Sequence, residues 1–397
     1  MIVSTGVGVV LAEIGLRLFS DFRVVPQMFV TDERVGYRLE PNVREVVSRP
    51  GAYRYTWSTN GQGFRGDDEY AIPKQVGTRR VLMIGDSFAF GMGVDNDRTA
   101  SSRLQGALRM VCGDPRIEVI NAGVPSYGTS QELKTLEEFG LPLEPDVVVL
   151  SVVSNDIDDN LATGVHQLVE DSLRPLAATA GPGAGVYRWK RIANAIPGYR
   201  FLNRHSVLMG AIRQLGSQVA RSRSLASGGD ASSSADSAAL RVLAFPDTTP
   251  AALRAAVVDT TSHRYALMRR LIERMESVSN AAGAEFIVTV IPDSWELRGY
   301  AADRAEEAPM LTMALQMCDS VGVMCINLGD HLLREAPGGD IAGFYFVGDA
   351  HFNERGQAAM AAALRPPVAA KLGCSSSGGL TAPSMSAPAG TIHRRVE

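Results

Sequence analysis

Residues 81–88 read Val-Leu-Met-Ile-Gly-Asp-Ser-Phe, an apolar run that ends in a short polar turn carrying a serine. Such a run is typical of a buried strand in a parallel sheet, because helices cover both faces of that sheet. The carboxyl end of the strand opens onto the crevice where α/β proteins bind their ligands. Ser87 therefore stands where a nucleophile could act, if a base and an oxyanion hole come from elsewhere.

Similar apolar runs recur along the chain and alternate with helical stretches at roughly 99–111 and 130–139. The candidate strands are 80–85, 117–121, 146–153, 285–291 and 323–328. This alternation predicts an α/β fold, a flavodoxin-like three-layer α/β/α sandwich with a five-stranded parallel sheet. Right-handed crossovers would bring the loops after the strands to one edge of the sheet.

The composition allows a full core and excludes wholesale disorder. The chain has 397 residues, of which 45% are hydrophobic and 21% charged, and its formal net charge is −4. No basic patch predicts a nucleic-acid partner. The length suits one large domain or two.

The four cysteines do not form a C-x-x-C pair, which argues against a zinc ribbon or a redox motif. Cys325 lies in an apolar run and is interpreted as a small buried hydrophobe. A Cys112–Cys318 or a Cys318–Cys325 disulfide stays open as an alternative.

The chain divides by composition into five parts. They are an apolar N-terminal helix at 1–19, a β-rich preface at 20–79, a catalytic domain at 80–366, a helical insertion within it at about 161–247, and a disordered tail at 375–397. The insertion is either a lid over the catalytic edge or a peripheral appendage. Pro250, capped by Thr248 or Thr249, is expected to open a helix that runs to about residue 281.

The N-terminal segment 1–19 holds two charged side chains, Glu13 and Arg17. Its uncharged run is shorter than the roughly 20 apolar residues that span a bilayer, and it lacks the basic start of a secretory signal. It is interpreted as a membrane anchor whose first residues precede Met1, or as an amphipathic helix packed on the protein.

Four polar blocks stand out, the first three directly after candidate strands. They are Gly85-Asp86-Ser87-Phe88, the segment 121–129, Ser154-Asn155-Asp156-Ile157, and Gly348-Asp349-Ala350-His351-Phe352-Asn353. In this order, the blocks resemble those of the SGNH (GDSL-type) hydrolase superfamily, over residues 80–160 and 285–365. The segment 60–66 and the apolar N-terminus are similar to those of membrane-anchored or exported bacterial members.

The resemblance implies a catalytic triad. Ser87 would be the nucleophile, His351 its base, and Asp349 the group that orients the imidazole. Asp349 precedes His351 by two residues, whereas many members have three, and position 348 is a glycine here. Because residues two apart share a face only in extended backbone, the loop is expected to be extended.

The resemblance also implies an oxyanion hole. Its donors would be the backbone N–H of Ser87, the side-chain amide of Asn155 and one backbone N–H from the second block. Gly128 is preferred for that last donor, and Ser126 is the alternative. No metal or cofactor is implied.

Two other polar features have plainer interpretations. The acidic run 156–159 lacks the glycine and the distal glutamate of an EF-hand, and Asp158 and Asp159 are interpreted as a solvated helix start. Arg65 follows a turn in the preface, where it would face the active site or form a surface salt bridge.

The sequence thus predicts a serine ester hydrolase, of the esterase or lipase kind or a carbohydrate acetylesterase, that acts on an acylated small molecule or saccharide. The alternatives are an O-acyltransferase acting on a cell-envelope or exopolysaccharide sugar, and a non-catalytic carbohydrate-binding or assembly protein. We expect association with a membrane through residues 1–19, facing the periplasm or cell exterior; a cytoplasmic location is the alternative.

Overall fold

The computed structural model describes residues 2–19, 28–49, 51–177, 180, 184–199, 201–202, 206–209, 263–301, 308–336 and 339–374. The strands are β1 (Phe29–Asp32), β2 (Gly36–Leu39), β3 (Arg44–Arg49), β4 (Tyr53–Ser58), β5 (Arg79–Gly85), β6 (Ile117–Gly123), β7 (Val147–Val152), β8 (His166–Val169), β9 (Ser172–Pro175), β10 (Glu285–Val290) and β11 (Met324–Asn327).

Helices alternate with these strands, and a turn of π-helix at Leu136–Gly140 continues the fourth helix. The helices are α1 (Ile2–Phe19), α2 (Ser87–Phe90), α3 (Ala100–Cys112), α4 (Thr129–Thr135), α5 (Asp156–Thr163), α6 (Ala184–Ala195), α7 (His263–Ala281), α8 (Ser294–Ala301), α9 (Pro309–Val321), α10 (Leu328–Arg334) and α11 (Glu354–Lys371). Short 3₁₀ turns lie at Asn96–Arg98, Leu141–Leu143 and Ala342–Phe344.

The central sheet has five parallel strands in the order β11-β10-β7-β5-β6. Numbered along the chain, this order is 5-4-3-1-2, the flavodoxin-like arrangement. The predicted fold class is confirmed, and the five predicted strands agree with the observed bounds to within two residues. The strand order runs from β5 to β6 on one side and from β5 to β7, β10 and β11 on the other, so it reverses beside β5. Ligands are therefore expected at the carboxyl end of β5.

The side chains of β5 show how the layers form. Leu82 and Ile84 join one core with α4, α7 and α9, while Val81 and Met83 join the other with α3 and α11. All four side chains are fully buried. Helices on both faces therefore explain why this strand is continuously apolar.

The preface is built from two antiparallel hairpins, β1–β2 and β3–β4. Its buried side chains, among them Tyr55 and Trp57, form a third core with Phe90 and Tyr127. Phe90 ends α2 and Tyr127 follows β6, so the preface packs against the catalytic edge of the sheet.

The region predicted as an insertion contributes the β8–β9 hairpin and α6 to the described structure. The predicted lid largely lies outside the described residues, as do Pro250, its candidate caps and the tail 375–397. The helix predicted to end near residue 281 is described as α7 from His263 onward.

Helix α1 contacts a later part of the chain through Glu13. Its carboxylate accepts hydrogen bonds from the hydroxyl of Ser206 (2.8 Å) and the backbone N–H of Leu208 (2.9 Å). The exposed apolar side chains of α1 are those of Val9, Val10, Leu11, Ile14 and Leu18. Within the described ranges, no helix has the length and apolar character needed to cross a bilayer.

Two disulfides join the four cysteines. Cys318–Cys325 is one of the two pairings that the sequence left open. The other pairing is corrected, because Cys112, at the end of α3, is bonded to Cys374 beyond α11. Helices α3 and α11 pack side by side, which brings together cysteines that are 262 residues apart. Cys325 is therefore half of a disulfide rather than a free buried thiol.

Candidate active site

The turn after β5 presents Ser87 at the carboxyl end of the sheet. Asp86 caps α2 by accepting a 2.8 Å hydrogen bond from the backbone N–H of Phe88. Gly85 is required by packing, since a Cβ there would lie 2.7 Å from the Cβ of Ala89. Ser87 is buried beneath the neighbouring loops, with 5% of its surface exposed.

His351 lies beside this serine. Its Nε2 is 2.9 Å from the Ser87 Oγ, and its Nδ1 is 2.5 Å from the Asp349 Oδ1. The Ser87 Oγ is also 3.1 Å from a carboxylate oxygen of Asp86. The structure thus brings the three predicted triad residues together, in the order that general-base activation of a serine requires.

The loop that carries Asp349 and His351 is bent, so the prediction of extended backbone was wrong. The N–H of Asp349 donates to the carbonyl of Phe346, and Gly348 has a φ of 70°. The Asp349 Oδ1 accepts a 2.9 Å bond from the backbone N–H of His351 in addition to the imidazole. Because the Asp349 carboxylate accepts from both the backbone N–H and the imidazole of His351, the two side chains meet without extended backbone.

The charge of Asp349 is held in place by its partners. Burial alone would raise the pKa of this carboxyl group, but hydrogen bonds from His351 and the positive charge of Arg49 outweigh it and lower the pKa below its ordinary value of 3.8. The guanidinium of Arg49 forms an ion pair with the Asp349 Oδ2. A carboxylate that stays ionised can stabilise an imidazolium as it forms.

Asn155 stands at the start of α5, after β7. Its amide nitrogen donates a 2.6 Å hydrogen bond to Asp159, and the hydroxyl of the preceding Ser154 donates to Asp293. Asp159 is 5% exposed, so its interpretation as a solvated helix start was wrong. Since an amide group has two donor hydrogens, one remains for a substrate while Asp159 fixes the orientation.

The two candidates for the second-block donor differ in conformation. Ser126 has a φ of 66°, in the left-handed region that favours glycine, and its carbonyl accepts a 2.7 Å bond from the hydroxyl of Tyr37. Gly128 has an ordinary φ of −104° at the start of α4. A Cβ at Gly128 would lie 2.8 Å from the backbone nitrogen of Asn160, so packing against α5 explains that glycine.

Arg65 reaches the turn after α2 and is buried, so neither sequence interpretation described it. Its guanidinium donates to the carbonyls of Phe90 (2.6 Å), Gly91 (2.7 Å) and Val94 (2.5 Å). It also lies over the Phe90 ring, 4.2 Å from the centroid. Burial lowers its pKa to about 10, so it stays charged at neutral pH.

Four buried acids lie in or near the segments that carry Ser87 and Asn155, and no sequence pattern predicted their burial. Burial raises the pKa of Asp86 and of Asp293, and raises those of Glu132 and Asp156 well above their ordinary values. Neither carboxylate oxygen of Glu132 has a hydrogen-bond partner in the described structure. This region therefore favours neutral carboxyl groups.

Arg49 and Asp159 contact candidate site residues, although no sequence pattern pointed to either of them. Arg49 lies next to a turn of the preface, about 300 positions from its partner. Asp159 belongs to an acidic run that reads locally as a solvated surface. Neither residue has a local pattern that could have revealed its contact.

Comparison with known proteins gives one family. Residues 83–228 match the model of the GDSL-like Lipase/Acylhydrolase family. No match is found among curated proteins. The matched segment includes the first three polar blocks, at 85–88, 121–129 and 154–157. Asp349 and His351 lie beyond it.

Solved structures with a related arrangement have low identity to the chain. LAE5, an alpha/beta hydrolase enzyme from the metagenome of Lake Arreo, Spain, is 11% identical, with 77% of this chain and 99% of that chain covered and a TM-score of 0.39. The lipase/acylhydrolase from Enterococcus faecalis is 13% identical, with coverages of 74% and 97% and a TM-score of 0.37. Axe2, an acetylxylan esterase from Geobacillus stearothermophilus, is 10% identical, with coverages of 76% and 97% and a TM-score of 0.37.

Proposed function

We propose that this chain, an ester hydrolase similar to the GDSL-like Lipase/Acylhydrolase family, works through an acyl-serine intermediate on Ser87. The observation that carries the proposal is the hydrogen-bonded sequence from Ser87 through His351 to Asp349. A serine hydroxyl is a weak nucleophile at neutral pH and needs a base within this distance.

The steps follow from the geometry. The Ser87 Oγ bonds to the acyl carbon while its proton passes to the Nε2 of His351. The tetrahedral intermediate collapses, and the alcohol leaves with that proton. Water then attacks the acyl-serine with His351 again as base, which releases the acid and restores the Ser87 hydroxyl.

The developing oxyanion needs preorganised donors. We assign the side-chain amide of Asn155, held by Asp159, and the backbone N–H of Ser87. For the third donor we assign the N–H of Ser126 over that of Gly128, because its left-handed backbone is a conformation that glycine normally adopts. Counted from Asn121, the glycine of the superfamily that this chain resembles falls on residue 126. Loss of one such donor typically costs about 10²–10³ in rate.

Purified protein assayed with p-nitrophenyl acetate and longer esters tests the reaction. Ser87→Ala is expected to lose about 10³-fold or more in kcat and to lose labelling by a fluorophosphonate. Activity close to wild type in that variant would contradict the mechanism. Adding an oligosaccharide acceptor separates hydrolysis from acyl transfer, because a transferase turns over only with the acceptor.

We propose further that the enzyme works outside the cytoplasm, at a membrane surface. The two disulfides are of the kind that persists in oxidising compartments. Leu11 and Leu18 on α1 are exposed. Phe201 is exposed too, and it lies shortly before Ser206, whose hydroxyl donates a hydrogen bond to Glu13 of α1.

Cell fractionation and co-sedimentation with phosphatidylglycerol vesicles test this location. We expect the native protein in the membrane fraction, and weaker vesicle binding by a Leu11→Ser/Leu18→Ser variant. Recovery in the soluble cytoplasm with reduced cysteines would contradict the proposal.

A further inference from the structure

The end of the β3–β4 hairpin lies against the catalytic loop. β3 pairs with β4 in register, and its last pair is Arg49 opposite Tyr53. The ring of Tyr53 lies 5.0 Å, centroid to centroid, from the ring of Phe346 at the start of that loop. The hairpin thus touches the segment that carries Asp349 and His351.

Arg49 also contacts this loop, through the carboxylate of Asp349. The two oxygens of Asp349 divide their partners, because Oδ1 accepts from His351 and Oδ2 pairs with the Arg49 guanidinium. The side chain of Asp349 is 1% exposed and that of Arg49 is 26% exposed. The aspartate is therefore enclosed, while the arginine reaches it from the rim of the site.

Tyr55 fixes the hairpin from its other strand. Its ring packs against that of Tyr53 at 5.6 Å, and its hydroxyl lies 2.9 Å from the sulfur of Met92 in the turn after α2. The hairpin therefore contacts both the loop of the nucleophile and the loop of the base, and its position is set by buried contacts.

We infer that Arg49 is a positioning residue for the catalytic triad, through which the preface sets the orientation and the charge of Asp349. The inference rests on the proposed function of the triad. Arg49 holds Oδ2 so that Oδ1 faces the imidazole, and its charge favours the ionised form of the carboxylate.

The charges around Asp349 give the direction of the pH effect. His351 and Arg49 favour the ionised form of the Asp349 carboxylate against burial. Burial, and to a smaller extent the charge of Asp349, raises the pKa values of Tyr53 and Tyr55 on the hairpin. Without Arg49, Asp349 takes up a proton at a higher pH. Loss of the ionised carboxylate removes the charge that stabilises the imidazolium, so activity at low pH should fall.

The charge of His351 lowers the pKa values of Asp86 and Asp293, but burial has the larger effect and raises both. Neither acid belongs to the hairpin, and both remain in an Arg49 variant. The shift in the pH profile should therefore come from the hairpin side of the triad.

Three variants test the inference against a control on the same strand. Arg49→Gln should lower kcat about 10–100-fold with KM nearly unchanged, as small misplacements of catalytic groups do. The acid limb of its kcat/KM profile should move to higher pH. Arg49→Lys should recover part of the loss, and guanidinium ion should partly restore Arg49→Ala. Arg44→Gln, whose parent side chain is 72% exposed in an ion pair with Asp67, should resemble wild type in every measurement.

The outcomes separate the inference from the reaction itself. An unchanged pH profile in Arg49→Gln would overturn the positioning role. The role would also be overturned if kcat falls together with the melting temperature and neither lysine nor guanidinium restores it. If Ser87→Ala is inert and Arg49→Gln behaves as wild type, only this inference fails. If Ser87→Ala remains active, the proposed reaction fails as well.

Discussion

The side-chain amide of Asn155 donates a 2.6 Å hydrogen bond to the carboxylate of Asp159, one turn into α5. The group assigned to the oxyanion hole is thus held in place before any substrate arrives. Electrostatic stabilisation of a transition state depends on such preorganised donors.

Asp159→Ala is therefore expected to lower kcat about 10-fold or more, with the loss staying below the roughly 10²–10³ expected for Asn155→Ala. The double variant should be hardly slower than Asn155→Ala, because the two residues act as one unit. Asp319→Ala, which removes an exposed aspartate on α9, serves as the control. Independent losses in the two single variants would contradict the orienting role of Asp159.

The third oxyanion donor can be tested without changing a side chain. A backbone ester at residue 126, introduced by semisynthesis, removes only that N–H and should lower kcat about 10²–10³-fold. The same replacement at residue 128 should have a smaller effect. The reverse order would show that Gly128, and not Ser126, supplies the donor.

Glu132 gives a stability prediction. Its burial and the charges of Asp156, Asp86 and Asp159 raise its pKa in the folded protein above the ordinary value of 4.5. The folded state then binds the proton more tightly than the unfolded state. This contribution to stability is present below pH 4.5 and is lost as the pH rises through the folded pKa.

Glu132→Gln should therefore stabilise the protein at pH 8, because the neutral amide needs no proton in the folded state. The gain is about 1.4 kcal/mol for each pH unit above the unfolded pKa, up to the folded pKa. The difference from wild type should disappear near pH 4. Thermal unfolding across this range measures it, with the exposed Glu144→Gln as control. A variant that is less stable than wild type at pH 8 would show that the Glu132 carboxylate has a buried partner.

The two disulfides should differ in their contribution to stability. They close loops with sequence separations of 262 and 7 residues, for which chain entropy predicts about 5.6 and about 2.4 kcal/mol. Cys112→Ser/Cys374→Ser should then lower the urea midpoint more than Cys318→Ser/Cys325→Ser does. Equal midpoints would mean that strain or residual structure outweighs loop entropy.

Arg65 should be needed for stability as well as for activity. Arg65→Met leaves three carbonyls without their donor and should cost about 3 kcal/mol or more. Arg65→Lys should recover little, because an ammonium does not reproduce the planar set of donors. Arg54→Met, an exposed position on β4, is the matched control in the same unfolding assay.

The sheet could be predicted because its signal is local, since a strand covered on both faces must be apolar throughout. The triad residues were proposed because four polar blocks, the first three directly after such strands, resemble those of a known superfamily. The bounds of β5 and the placement of Ser87 beside His351 agree with what those patterns predicted.

The remaining contacts depend on tertiary structure. The pairing of Cys112 with Cys374 follows from the packing of α3 on α11, and the spacing of cysteines does not specify connectivity. Arg49 meets Asp349 across 300 positions of sequence. Asp159 looked solvated because an acidic run carries no information on what covers it.

The carbonyls of Phe90, Gly91 and Val94 all accept hydrogen bonds from the guanidinium of Arg65. Arg65 belongs to the preface and not to the domain that contains the sheet. A shortened chain starting at residue 80 would retain Ser87, His351, Asp349 and Asn155, yet it would lose Arg49 as well as the guanidinium that binds these three carbonyls. The smallest piece that can be transplanted or recombined as a working catalyst is therefore larger than the piece that carries the chemistry.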